Sequence, residues 1–363
     1  MKFENLVRPT VRQIKEYVPG KSIEEIAKKY GLDPCNIIKL GSNENPLGPS
    51  PLAVAAIRVN AGKVNLYPPS DAASLRQEIS GYTGYPASNI VVSGSGMDGV
   101  FDTMMRLFIS PGSETIIPLP TFSYYEIATL ANGGTPVFAK RDGNFGINAA
   151  AILGNVTGNT KMVFLCSPNN PSGNTLNEKV AREIIESVNA IVFIDEAYVE
   201  FSENSLCGLV KEYGNVVVGR TFSKAFGLAG MRMGYAIAPE WICREYSKVM
   251  TPFSMDVLSC EAGIAALADI GHLTKTLETV EKGRIQLTDG LSPLCKVYPS
   301  EANFILIDVS PATAADVSES LLKKGIIVRD CTSFRDAGES LIRITVGTKE
   351  QNRKVIDAIG SVL

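Results

Sequence analysis

From about residue 70 the chain alternates short apolar runs with amphipathic stretches, and that alternation points to a fold class. Apolar runs at 90–93, 115–118, 135–139, 162–166, 190–195, 215–219 and 233–238 read as strands. Helical spacing of apolar residues appears between them at 75–81, 97–108, 124–131 and 178–188. Runs without polar alternation suit strands buried on both faces. A mostly parallel sheet covered by helices on both sides is therefore expected. After Trp241 one long helical stretch is expected to about Gly290. The tail then changes character, with strands expected at 302–308, 326–329 and 340–346 and a helix at 315–324. Thr348 and Gln351 form a capping-box pattern that opens a last helix.

The first forty residues are more polar. Ser22 as N-cap, Glu25 three residues on and Gly31 as stop outline a short helix over 22–30. These patterns suggest three parts: an N-terminal segment, 1–44, that joins a small domain; a large α/β domain, 45–255; and a smaller α+β domain, 256–363.

The 363 residues carry 45% hydrophobic and 20% charged residues and a net charge of −3, which describes a globular chain without a basic surface for nucleic acid. No apolar run reaches the ~18 residues of a membrane span. The start, Met1-Lys-Phe-Glu4, has no apolar signal segment. Seven scattered cysteines without a CxxC pair suggest neither a disulfide framework nor a zinc site, and a reducing cytoplasm is the expected location. The one histidine, His272, lies in a polar turn-like segment and reads as a solvated loop residue. A multi-histidine metal site is excluded and a Ser-His-Asp triad is not expected. Chemistry must come from Lys, Tyr, Asp and Arg.

One run concentrates such residues: Gly219-Arg-Thr-Phe-Ser-Lys-Ala-Phe-Gly-Leu-Ala-Gly-Met-Arg-Met-Gly234. Lys224 amid Phe222, Phe226 and Leu228 is poorly solvated, which favours the neutral, nucleophilic amine. Thr221, Ser223 and Arg232 supply hydroxyls and a guanidinium suited to a phosphate. An amine beside a phosphate grip suggests a phosphorylated carbonyl cofactor, and pyridoxal 5′-phosphate fits. Taken alone, Lys224 reads more readily as a surface lysine with a buried stem, and the rest of the chain reverses that reading.

Other segments carry similar double readings. Gly94-Ser-Gly-Met-Asp-Gly99 follows a strand and opens a helix, so Met97 and Asp98 begin a phosphate-binding turn, a dinucleotide fingerprint or a plain structural turn. Asn170, in Ser167-Pro-Asn-Asn-Pro-Ser-Gly173, is a turn residue or an amide presented at a sheet edge. Asp195 ends an apolar strand, where it caps a helix or partners a buried cation, with Tyr198 three residues on. Phe122 packs in the core or stacks on a flat ligand. All of these follow strands of one expected sheet, as an active site at a carboxyl edge would require.

With these residues in view, the chain resembles the fold-type I pyridoxal-phosphate aminotransferases over nearly its whole length. Asn170-Pro-Ser-Gly173, Asp195 with Tyr198, and Ser223-Lys224 with Arg232 carry that likeness. Tyr17-Val-Pro-Gly-Lys21, Leu40-Gly-Ser-Asn-Glu-Asn-Pro-Leu-Gly-Pro49, Tyr67-Pro68 and Leu341-Ile-Arg-Ile-Thr-Val-Gly-Thr348 narrow it to the histidinol-phosphate aminotransferase family. The resemblance implies that Lys224 bonds the cofactor and later shuttles a proton. It implies that Asp195 pairs with the pyridinium, that Asn170 and Tyr198 bond the ring hydroxyl, and that Phe122 stacks on the ring. Met97, Asp98, Thr221, Ser223 and Arg232 would hold the cofactor phosphate. Tyr67 would reach the cofactor of a neighbouring subunit, which requires a homodimer. Arg343, with Arg329 and Tyr17, would meet the phosphate of histidinol phosphate, and Asn43 joins them on the substrate side. Glutamate or 2-oxoglutarate would use Arg343 for a carboxylate.

Two departures stand out: Met97 and Gly99 in the phosphate turn, and Leu66 and Pro69 around Tyr67-Pro68, where many relatives carry charges. Threonine-phosphate decarboxylases share most of these features and are the competing expectation. A non-catalytic cofactor-binding regulator is the third, disfavoured because no residues are spare for a DNA-binding domain.

Overall fold

The structure, a computed structural model, describes residues 3–16 and 18–363. A short strand β1 (Ile38–Lys39) precedes the large sheet. That sheet comprises β2 (Ile90–Ser93), β3 (Glu114–Leu119), β4 (Thr135–Lys140), β5 (Thr160–Cys166), β6 (Ile191–Asp195), β7 (Val216–Thr221) and β8 (Gly234–Ile237). Its order is β2-β8-β7-β6-β5-β3-β4. Only β8 runs antiparallel to its neighbours, so the sheet is mostly parallel as the pattern requires.

Successive side chains of a strand face opposite ways, and both faces here are covered. Val163, Leu165, Val192, Ile194, Val216 and Val218 enter one core with the helices Ala73–Thr83, Glu178–Ser187 and Val257–Ala268. Met162, Phe164, Cys166, Ile191, Phe193 and Val217 enter the other, with Gly96–Phe108, Tyr124–Ala131 and Glu240–Val249. This double coverage is why the strands read as unbroken apolar runs.

The tail builds a four-stranded antiparallel sheet from β9 (Lys296–Tyr298), β10 (Phe304–Asp308), β12 (Arg329–Asp330) and β13 (Leu341–Thr345), in the order β12-β13-β10-β9. Between β10 and β12, β11 (Ile326–Ile327) instead pairs with β1, in parallel. The single strand expected over 326–329 is thus split at Val328, and its second half sets Arg329 directly opposite Arg343. Ile38 and Leu40 pack in one core with Ile305, Leu321, Ile342 and Leu287.

The stretch after Trp241 is three helices, Glu240–Val249, Val257–Ala268 and Ile270–Leu291. Asp256 and Asp269 each cap the following helix. Ala262, Ala266 and Leu267 of the middle helix pack in the large sheet's core, so the expected boundary at 255/256 falls ahead of a helix of the large body. His272 is also corrected: it lies in the first turn of Ile270–Leu291, its N–H bonds the Asp269 carboxylate, and its Nε2 is 3.1 Å from the Gly48 carbonyl. Ser22, Gly31 (φ 67°) and the Thr348–Gln351 capping box perform as their sequence patterns predict. Among the described residues no single helix is long and apolar enough to cross a membrane.

Candidate active site

The strand order brings the ends of β3, β5, β6 and β7 to one edge, where a cavity of about 260 Å³ opens. Met97, Asp98, Phe122, Asn170, Asp195, Tyr198, Thr221, Ser223, Lys224 and Arg232 all line it. Lys224 follows β7. Burial, then the charges of Arg343 and Arg232, bring its pKa down from 10.5 to about 8, against the pull of Glu44. Its Nζ lies 3.5 Å from the Ser42 carbonyl and 5.6 Å from the centre of the Tyr198 ring. The site therefore favours the free amine more than water does.

Asp195 closes β6, with its carboxylate buried. Burial raises its pKa to about 6, opposed by hydrogen bonds from the Tyr125 hydroxyl and the Ala197 N–H (2.9 Å). Sequence reasoning missed Tyr125. Its only signal was a second aromatic residue behind Phe122, which helical periodicity assigns to the core. Beside it, Asn169 accepts from Thr121 (2.7 Å) and Arg141 (2.9 Å) and donates to Ser172 (2.8 Å), which fixes the turn that carries Asn170.

Tyr198 stands on the turn after β6, and burial keeps its phenol protonated. Its hydroxyl accepts from Asn43 Nδ2 at 3.0 Å. The other end of the Asn43 amide accepts from Thr345 Oγ1 at 3.0 Å. Asn43 is thus engaged within the protein at both ends, and it also lines the smaller cavity beside Lys224.

The opposite end of the cavity is built for an anion. The helix Gly96–Phe108 begins there, and its N-cap residue, Ser95, makes no side-chain capping bond to the first N–H groups. Gly96 N–H bonds the Arg232 carbonyl (2.8 Å), and a Cβ on Gly96 would stand 2.8 Å from the Arg232 guanidinium. Gly234 permits this docking, since a Cβ there would fall 2.5 Å from the Met97 nitrogen. The Met97 sulfur packs over Gly219, so the unusual methionine fills core space. Thr221 Oγ1 donates to Ser223 Oγ (3.0 Å), and Arg232 pairs with Asp98 at 3.3 Å.

A second cavity of about 120 Å³ adjoins the first and shares Lys224, Tyr198, Asn170 and Phe122 with it. Arg343 and Arg329 form its far wall. Arg343 is buried, bonding Asn170 Oδ1 and the Gly41 carbonyl (2.7 Å). Arg329 donates to the Val18 carbonyl and Ser333 Oγ, both at 3.0 Å. Tyr17 lies outside the described residues. Tyr67 lines neither cavity of its own chain: it is 84% exposed and packs on Phe253 at 4.9 Å.

Comparisons with known proteins agree with this geometry. The family model described as aminotransferase class I and II matches residues 36–359. A Methanosarcina mazei protein named histidinol-phosphate aminotransferase is 57% identical over 353 residues, 97% of this chain and 95% of its own length. The solved histidinol-phosphate aminotransferase of Sinorhizobium meliloti, in complex with pyridoxal-5′-phosphate, shares the fold with a TM-score of 0.86, at 24% identity over 98% of each chain. The L-threonine-O-3-phosphate decarboxylase of Porphyromonas gingivalis shares it too, with a TM-score of 0.79 at 24% identity over 90% of this chain and 99% of its own.

Proposed function

The chain belongs to the class I and II aminotransferase family, and from that premise we propose that it moves an amino group between L-histidinol phosphate and 2-oxoglutarate, giving imidazole acetol phosphate and L-glutamate. Pyridoxal 5′-phosphate is the cofactor. The observation that carries the reading is the joined pair of cavities, with Lys224 and Asp195 facing one and Arg343 and Arg329 walling the other.

The donor set fits the cofactor. A buried carboxylate suits a pyridine nitrogen, an amine of lowered pKa suits an aldehyde, and an uncapped helix N-terminus beside two hydroxyls and Arg232 suits a phosphate. When bound, the cofactor supplies an electron-withdrawing ring that stabilises negative charge at the substrate carbon.

The protein's own groups do the rest. Lys224 Nζ would take the proton from the substrate carbon that bears nitrogen and deliver it to the aldehyde carbon of the cofactor. Asp195 would hold a negative charge against the ring nitrogen. Asn170 and Tyr198 would hold the ring hydroxyl, and Phe122 would pack against the ring. Histidinol phosphate has no carboxylate, so Arg343 and Arg329 take its phosphate, while Arg343 takes a carboxylate of glutamate in the other half-reaction.

A second copy of the chain completes the site in this reading. Tyr67 packs on exposed Phe253, and Val59, Val64 and Leu66 shortly before it in sequence are exposed too, which suits a homodimer contact. Seven free cysteines support a reducing, cytoplasmic setting. The test is mass-detected turnover. Histidinol phosphate with 2-oxoglutarate should give glutamate, and threonine phosphate should release no carbon dioxide. Decarboxylation of threonine phosphate without amino transfer from histidinol phosphate would overturn the reading.

A further inference from the structure

Asp195 owes its alignment to a residue that no motif marks. Its Oδ1 takes the Ala197 N–H at 2.9 Å, and its Oδ2 takes the Tyr125 hydroxyl. A carboxylate has about four acceptor positions, so these two bonds leave capacity for a cationic nitrogen from the cavity.

The Tyr125 ring has little freedom. It stacks on Phe164 at 4.5 Å and 6°, and stands edge-on to Phe101 at 5.2 Å and 90°. It also stands edge-on to Phe122, at 5.6 Å and 85°. Thr129 Oγ1 bonds the Tyr125 carbonyl at 2.8 Å. Full burial raises the phenol's pKa far above its usual value, so it donates at every working pH. One side chain therefore touches both Asp195 and Phe122.

We propose that Tyr125 is a positioning residue for the amino transfer, holding Asp195 as an aligned carboxylate and seating Phe122 against the same cavity. The proposal rests on the functional reading above for its consequence, though not for its physical test. Loss of the phenol donor removes the bond to the oxygen of Asp195 and, with it, the hydroxyl's hydrogen bond with the Cys166 thiol, and a carboxylate deprived of a donor gains affinity for a proton. Other groups also bear on Asp195: Asp98 raises its pKa, Lys224 lowers it, and the Cys166 thiol lies close by on β5. A Tyr125→Phe substitution leaves the charges of Asp98 and Lys224 in place and frees the Cys166 thiol from the phenol.

The experiment is infrared titration of the cofactor-free protein, with the Asp195 carboxyl band assigned by its disappearance in Asp195→Asn. Tyr125→Phe should shift the band's midpoint upward by about one pH unit or more, the expected size for loss of a charge-assisted bond. Fluorinated tyrosines at position 125 keep the ring and strengthen the donor, so they should move the midpoint downward in order of acidity. In the loaded enzyme, Tyr125→Phe should lower kcat by ~10-fold or more while KM for histidinol phosphate changes little. An unmoved midpoint in both series would show that Tyr125 merely fills the core. If the midpoints shift but histidinol phosphate is not turned over, the functional reading fails and the positioning role stands.

Discussion

Lys224 acquires its reactivity from its surroundings. Burial and two guanidinium charges bring its pKa to about 8, so the free amine predominates above that pH instead of above 10.5. Capture of pyridoxal 5′-phosphate by the cofactor-free protein, followed by stopped-flow absorbance, should therefore accelerate as pH rises through about 8. Borohydride should then fix the cofactor in the peptide containing Lys224, and a label on another lysine would contradict the assignment. Asp195 tests the other end of the ring. Asp195→Asn removes charge while keeping shape, and should slow the proton-transfer step at least ~10²-fold, roughly 3 kcal/mol, without abolishing cofactor binding. Pre-steady-state kinetics would measure this, and near-normal turnover would show that Asp195 does not face the ring nitrogen.

Among the secondary-structure elements, the pairing of β12 with β13 matters most, because it sets Arg329 opposite Arg343 at the wall of the smaller cavity. Arg343→Lys keeps a cation but loses the planar fork that suits a phosphate. KM for histidinol phosphate should rise ~10–100-fold, about 1.4–2.7 kcal/mol, while unphosphorylated histidinol, already poor, loses little more. Equal weakening of both compounds in steady-state assays would make the arginine structural. The long strands were legible because burial on both faces leaves an unbroken apolar run. β12 was not, since a two-residue strand is defined by its partner. Lys224, Asp195 and Asn170 were legible as polar residues at the ends of such runs. The tie from Asn43 to Thr345 was not, because it joins positions 302 residues apart. Tyr125 stayed hidden because a buried aromatic on an amphipathic helix looks like core until its hydroxyl is located.

At the scale of the whole molecule, two bodies meet across the site: Arg343 of the small sheet bonds Asn170 of the large one, and Asn43 near the N-terminus bonds Tyr198. In the proposed dimer, Tyr67 of a second copy would add a third contribution. Tyr67→Phe mixed with Lys224→Ala should form hybrid dimers. Activity above the sum expected from unshared sites would support exchange of Tyr67 between subunits, and a fully active monomer at nanomolar concentration in sedimentation and assay would contradict it. If this cavity takes the amino group from histidinol phosphate with the help of Lys224, a single round of transfer is observable by mixing loaded protein with histidinol phosphate in the absence of any acceptor and following the products by mass spectrometry. One equivalent of imidazole acetol phosphate should form per site, with no further turnover until 2-oxoglutarate is added, and then one equivalent of glutamate, with none of this in Lys224→Ala. Unchanged histidinol phosphate, or product formation that survives the loss of Lys224, would contradict amino transfer with the help of Lys224.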